Sequence, residues 1–495
     1  MTASIISVDI QDPSVAKPSN RYAKVPHLWA MGIGAVISGE YYGWQSTLVA
    51  GFDGLLVLLA MMTVLYVTLS FSIAEMSAAI PAGGGPYVFA RHAIGPRAAF
   101  FSGLAEALKV VAVNSSTFYT IYSYLDALFD LDDAYSPLWF LMFGVFFVGL
   151  NIVGVVASFR MQACSTVLCV LLLVIFYCAA IPKLDYNHWV VEQEWQFTNW
   201  NDTIMAIPFA MWFYLGIEEL PLASEETIEP EKNVPKALVI TISTLVVLSF
   251  CTAVFSSLIA PGAAEVANVS APLVTGYTTV FGDGATTTFF KWMTVIALTS
   301  SPNAYIFFMA QLLYAIARDG YFPAYMAKVH PTRGTPVGAL IVGGILTEAI
   351  AIILHFAIGD AHLGSVLINL TLFGGLISYI FQLVSFIMLR IRQPDRPRPY
   401  RCPFGIPGAV VGLVLCAISI FAIIYSGVQD TDFLASVIAT VIVFVLGAIY
   451  FFKYVQPRID KMPLVTPVPL KEMRENLLSS ASAAGYQSAH VARDH

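Results

Sequence analysis

The sequence predicts an all-α integral membrane protein of twelve spanning helices, and three observations predict it. Of its 495 residues, 58% are hydrophobic and 12% charged, with a mean hydropathy of +0.74. Soluble domains run nearer about 25% charged, and a chain with half that could not cover its own core with polar surface. The apolar residues also fall into runs of about 20, the length that crosses a bilayer. Only helices or closed barrels satisfy their backbone in lipid, and these runs are too long and too uniformly apolar for barrel strands. Finally, the 25 Lys and Arg are distributed unevenly. If the N-terminus is inside and the helices alternate, the outer loops hold Lys183 and Lys291 alone and Lys109 lies within a helix, while all the others fall on inner loops and tails. That is the positive-inside pattern and it requires an even number of crossings.

Apolar runs bounded by charge, Gly and Pro place helices near 27–50, 53–78, 96–127, 136–157, 162–182, 202–223, 236–259, 286–316, 337–358, 363–391, 408–428 and 433–454. Residues 1–26 and 455–495 are polar and are expected to be cytoplasmic tails, the first without the apolar core of a signal peptide. One outer loop carries Asp126, Asp130, Asp132 and Asp133, and another Asp185, Glu192, Glu194 and Asp202, an acidic surround that attracts cations and also simply keeps loops soluble. Trp189, Trp195 and Trp200 suit the interfacial belt. Asn201-Asp202-Thr203 and Asn268-Val269-Ser270 are glycosylation sequons, relevant only in a eukaryotic source. The six cysteines form no CxxC pair and read as small apolar residues within helices.

Two helices are not plain. The first contains Gly32, Gly34, Gly39 and Gly43 with Glu40 among them, and the sixth has Gly216 followed by Glu218 and Glu219, flanked by Pro208 and Pro221. Gly tolerates unwound backbone and Pro removes a donor. Unwound backbone at membrane depth is stable only where it lines a cavity. Breaks in helices one and six, five apart, predict two inverted repeats, 27–182 and 202–391, followed by a pair of helices over 408–454. Close packing of helices on small residues would account for either glycine run alone.

Four stretches carry a family resemblance: Ala79–Tyr87 with its GGGPY run, Ala223–Ala237, Tyr314–Pro323, and the Arg- and Pro-rich Arg390–Tyr400. In this order they resemble the amino acid–polyamine–organocation superfamily of permeases across residues 27–453. The resemblance implies the LeuT-type fold, two inverted five-helix repeats plus two helices, and transport by alternating access. Within the superfamily, Ser38-Gly-Glu-Tyr-Tyr-Gly-Trp44 is most similar to the ethanolamine permease branch, where an acid and a Gly-Trp pair occur.

Ionisable groups at a helix centre cost about 2.5–3.5 kcal/mol on insertion scales and are functional candidates by default. Here they are Glu40, Glu106, Lys109, Glu218, Glu219 and Glu348, with His355 near a helix end. Ser38 and Gly39 match positions where the family's amino acid permeases hold a substrate carboxylate. Glu40 would repel a carboxylate there and attract an ammonium group, so the expected substrate is a small amine cation, with an amino acid or polyamine as the alternative. Trp212 matches an aromatic that covers the substrate and could act by cation–π attraction. Tyr41, Leu215, Gly216 and Glu218 complete the expected binding set, with Tyr42, Trp44 and Tyr214 as further lining. Glu218 is expected either to contact the cation or to gate, and two nearby carboxylates at 40 and 218 would allow one to hold a proton. Glu219 is expected on the far side of its helix. Glu106 and Lys109 are three apart and share a face, as an ion pair or a coupling element. Thr299, Ser300 and Ser301 resemble hydroxyls that complete a Na⁺ site in sodium-coupled members of the fold, though helix-end hydrogen bonding is an equally local use. The coupling ion, H⁺ or Na⁺, and the oligomeric state stay open.

Nothing favours an enzyme: HExxH, GxSxG, GxxxxGK[ST] and CxxC are all missing from the chain, no cofactor is implied, and no basic aromatic stretch suggests nucleic acid. A nutrient sensor that binds without transporting would use the same residues.

Overall fold

Twelve apolar segments form helices because lipid leaves the backbone no other partner. The structure is a computed structural model that describes residues 21–460 except 133–134, 270 and 428–430. The tail residues 1–20 and 461–495, Asp133 and Ser270 of the second sequon therefore lie outside the described residues. Lys17–Gln456 is one compact unit, and the other, Met1–Ala16 with Pro457–His495, contributes residues 457–460 to the described chain.

The first segment, α1, is interrupted: Val25–Val36, Ser38–Tyr41, then a 3₁₀ stretch Trp44–Ala50. Then come α2 (Phe52–Ala79), α3 (Pro96–Phe129), α4 (Ser136–Val153) and α5 (Val155–Ala180). The sixth, α6, runs as a helix Trp200–Ala206 and two 3₁₀ stretches, Pro208–Phe213 and Ile217–Glu226. After it follow α7 (Pro230–Ser257) and α8, built of Ala285–Leu298 and Ser300–Arg318. The remaining helices are α9 (Val337–Ile358), α10 (Asp360–Arg392), α11 (Gly405–Gly427) and α12 (Thr431–Tyr450). Eleven segments are long and apolar enough to span by themselves; α1 is the twelfth, shortened by its break.

Three segments differ from the sequence expectation. The linker expected before residue 162 is absent, because α4 ends at Gly154, whose φ of 150° only Gly adopts readily, and α5 starts at once. The part of α1 beyond residue 43 is 3₁₀ rather than α-helix. A further interruption appears at Thr299 in α8, three residues before Pro302, which lacks the N–H that Leu298's carbonyl would use.

Segments five apart have matching lengths. Both α2 and α7 have 28 residues, and α3 and the α8 segment Ala285–Arg318 both have 34. A short helix follows α2 (Gly85–Ala93) and another follows α7 (Pro272–Phe281), on opposite faces by alternation of the crossings. The interrupted α1 packs among α5, α7 and α8, and α3 lies along α10. In their most apolar stretches α3, α6 and α8 are 78%, 78% and 83% buried against 17% for α12, so the former build the interior and the latter faces lipid. Val57, Ile345, Phe356, Phe421 and Leu446 are exposed on the outer surface, which a bilayer and not water accommodates.

Three of the motif stretches meet on the face that carries the chain start. The Gly83-Gly-Gly85 turn brings Gly84, at φ 112°, so close to α8 that a Cβ there would sit 2.8 Å from that of Ala315. Tyr87 donates to Asp319 at 2.5 Å, Arg91 pairs with Asp319, and Arg318 pairs with Glu225 at 2.7 Å. Tyr22 and Ala23 both donate backbone N–H bonds to Glu226, at 2.9 Å, tying the start of α1 to the end of α6. The fourth stretch wraps Glu75 at the end of α2, which takes Arg390 at 2.5 Å, Arg398 at 3.1 Å and the Cys402 N–H at 2.7 Å.

Candidate functional site

The two breaks pack on each other, and glycine is what lets them. A Cβ at Gly39 would stand 2.3 Å from the Trp212 carbonyl oxygen, and one at Gly43, whose φ is 93°, 2.5 Å from the Trp212 indole nitrogen. Trp212 thus lies against the unwound part of α1. Gly34 serves a second approach: a Cβ there would meet the Gln162 amide at 2.0 Å. Its carbonyl, which would face the Ser38 N–H in a continuous helix, receives the hydroxyls of Ser300 at 3.2 Å and Ser301 at 2.8 Å. Ala30's carbonyl receives Thr166 at 2.8 Å. Side chains of α5 and α8 therefore satisfy the carbonyls near the break, as freed backbone at membrane depth requires. Thr299, grouped with the two serines by sequence, turns away: its hydroxyl donates to Ile296 of its own helix at 2.6 Å.

Glu40 sits in this break, 1% exposed. The hydrogen-bonding group beside its carboxylate is the Thr252 hydroxyl. Around it stand neutral groups: Thr252 and Cys251 of α7, Tyr177 of α5 and Tyr214 of α6. Thr252 also bonds Tyr177 at 2.6 Å, and Tyr214 bonds Thr63 and Ser249 at 2.7 Å each. No Lys or Arg is among these neighbours. A buried carboxylate so placed carries an uncompensated desolvation cost. Tyr41, beside it in sequence, faces α5, donating to the Cys169 carbonyl at 2.8 Å while its own carbonyl receives Tyr124 at 2.9 Å. Ser38 and Gly39 are buried in the same turn.

Glu218 does not join Glu40. Its Oε1 lies 2.6 Å from Lys109 Nζ and accepts Tyr379's hydroxyl at 2.6 Å, and its Oε2 accepts the Gly216 N–H at 3.0 Å. The acid after the second break thus holds the unwound backbone itself, at a Gly whose φ is 112° and whose Cβ would collide with the Tyr305 hydroxyl. Tyr305 in turn donates to Leu215's carbonyl at 3.2 Å. Lys109 also pairs with Glu106 at 2.8 Å and with Glu219 at 2.6 Å. Glu219 is therefore not on the far side of its helix: the single Lys109 ammonium reaches both consecutive acids. All four side chains are fully buried. Ser378 of α10 donates to Glu106, Gln382 donates to Ser378 at 3.1 Å, and Tyr66 of α2 and Tyr379 share a hydrogen bond of 3.0 Å.

Sequence reasoning missed one polar constellation near the site. Asn151 donates to Asn303 at 3.1 Å, Asn303 to Gln162 at 2.8 Å, and Ser158 to Asn303 at 3.1 Å, all buried. It joins α4, α5 and α8 beside α1. Amides inside three otherwise apolar runs were the available signal. Glu348, also singled out by sequence, lies apart, against Gly144 of α4, where a Cβ would displace its carboxylate. Among the described residues, no group of three His, Cys, Asp or Glu could hold a metal ion.

Residues 25–448 match the family model described as amino acid permease. The chain is 28% identical to an uncharacterized transporter of Rhizobium meliloti (strain 1021), over 80% of this chain and 85% of that one. It is 24% identical to the branched-chain amino acid permease BcaP of Bacillus subtilis (strain 168), over 78% and 84%, and 23% identical to the methylthioribose transporter of the same strain, over 79% and 85%. The chain belongs to the amino acid permease family, so it is a membrane transporter and not an enzyme.

Proposed function

We propose that the protein is a secondary active transporter for a small amine cation, ethanolamine-like in size and charge, working by alternating access. One observation carries this reading: the buried Glu40 carboxylate in the break of α1, whose neighbours Thr252, Cys251, Tyr177 and Tyr214 are all neutral and leave its charge without a counter-charge. An ammonium group would supply the missing charge and donors; a substrate carboxylate at the same place would add repulsion. Tyr177, Tyr214 and Trp212 offer aromatic faces beside the breaks, suited to a cation. The uneven Lys and Arg distribution supports insertion in the cell membrane with both termini cytoplasmic. The test is uptake into liposomes holding the purified protein, with a panel of labelled amines and amino acids. Ethanolamine and similar amines should enter saturably, and Glu40→Gln should weaken them at least tenfold. Equal block of that uptake by leucine and by amines, or an unchanged amine affinity in Glu40→Gln, would overturn the reading.

The relatives favour a second reading, an amino acid permease, since a branched-chain amino acid permease is among them. In that case the substrate's amino group would meet Glu40, and its carboxylate the backbone at Ser38 and Gly39. The same panel separates the two, because the second reading requires amines lacking a carboxylate to fail.

A further inference from the structure

The four-residue cluster around Lys109 is used by neither reading of the substrate, and its charges do not balance. One ammonium faces the carboxylates of Glu106, Glu218 and Glu219, all fully buried. Their donors are unequally shared. Glu218 receives Tyr379 and the Gly216 N–H besides Lys109, and Glu106 receives Lys109 on one oxygen and Ser378 on the other. Glu219 touches Lys109 as an ion pair at 2.6 Å, and its carboxyl group meets that of Glu106 at hydrogen-bonding range. Two carboxylates in mutual contact away from water repel strongly unless a proton lies between them. The ionisable groups around the pair are Lys109 on α3, Glu218 on α6 and Tyr305 on α8, with Tyr379 on α10 and Tyr66 on α2 behind Glu218 and Lys109. Lys109 is the one cation among them.

We infer that Glu106 and Glu219 form a proton-binding site, in which one proton bridges the two carboxyl groups and travels with the substrate. The bridging proton is the one that a hydrogen bond between the two carboxyl groups requires, and it leaves the cluster with a single net negative charge. The pair joins α3 to the stretch that follows the break of α6, so movement of that stretch parts the two carboxyls and frees the proton. This rests on the transport reading but not on the identity of the substrate. It also differs from the sequence expectation, in which Glu40 and Glu218 repel each other so that one of them holds a proton.

Two measurements test it on the purified full-length protein. In liposomes, an acid-outside gradient of about one pH unit should raise accumulation of labelled ethanolamine toward about tenfold, the factor that one proton per substrate supplies. Glu219→Gln, which keeps the shape and fixes a neutral group, should abolish the gradient response, with Glu106→Gln as the second variant if the first does not fold. A wild-type protein indifferent to the gradient, or a Glu219→Gln protein with the full response, overturns the inference. Infrared spectra in nanodiscs need no substrate: a carboxylic-acid carbonyl band that shifts in D₂O should lose intensity in Glu219→Gln. If neither variant loses intensity, the inference fails. If wild type takes up no amine or amino acid, the proposed function fails and the infrared result alone decides the proton site.

Discussion

Glu40 and Glu218 are acids of the same type, at the same kind of helix break, and equally buried, yet the protein treats them in opposite ways. Glu218 has a lysine at 2.6 Å, a tyrosine hydroxyl and a backbone N–H. Glu40 has neutral groups around it, with the Thr252 hydroxyl as its hydrogen-bonding neighbour and no cation. Two breaks that look alike by composition thus differ in whether the fold brings its own cation. Where it does, the acid fixes backbone and joins α6 to α3 and α10. Where it does not, the acid is open to a cation from outside.

The comparison can be broken most forcefully at Lys109. Lys109→Met strands three buried carboxylates, and breaking a buried pair from one side costs about 3–5 kcal/mol. The variant should lose most of its thermal stability in detergent, and Lys109→Met with Glu218→Gln should recover part of it. Equal stability of Lys109→Met and wild type would show that the ion pairs do not form. Next comes Gly43→Ala. Its positive φ and the nearby Trp212 indole nitrogen predict a loss of about 1–3 kcal/mol, the scale of an overpacked core, with partial rescue by Trp212→Phe. Glu40→Gln should do the reverse of Lys109→Met: little change in melting temperature, but a fall in amine affinity of at least about tenfold, or 1.4 kcal/mol. A large stability loss in Glu40→Gln would mean that the acid is structural after all. The smallest effect is expected at the α8 serines. Ser301→Ala removes one hydrogen bond to the Gly34 carbonyl and should cost about 1 kcal/mol, whereas Thr299→Ala, which loses only a local bond to Ile296, should cost less. Thermal unfolding of the two variants side by side reads this out.

Much of the fold could be read along the chain because lipid imposes a local rule. A segment that must satisfy its own backbone shows itself by about 20 apolar residues, and glycines with an acid at mid-depth mark where the rule is relaxed. The sequence also picked out Glu40, Glu106, Lys109 and Glu218 as buried charges, and the turn residues of four loops. It misplaced Glu219, because nothing along the chain shows that a lysine from α3 reaches both consecutive acids. It grouped Thr299 with Ser300 and Ser301, although Thr299 ends the preceding helical segment and donates its hydroxyl to Ile296 there. It did not find Asn151, Ser158, Gln162 and Asn303, since amides scattered over three helices have no spacing along the chain to connect them.

By itself the sequence determined how many times the chain crosses, which helices unwind and which charges lie at depth, since each follows from neighbours along the chain. Which charge meets which was decided by tertiary structure alone. Lys109 is as near in sequence to Glu106 as it is far from Glu218 and Glu219, yet it holds all three. Electrostatic pairing at short range depends on distance in space, and the packing of α3, α6 and α10 sets that distance.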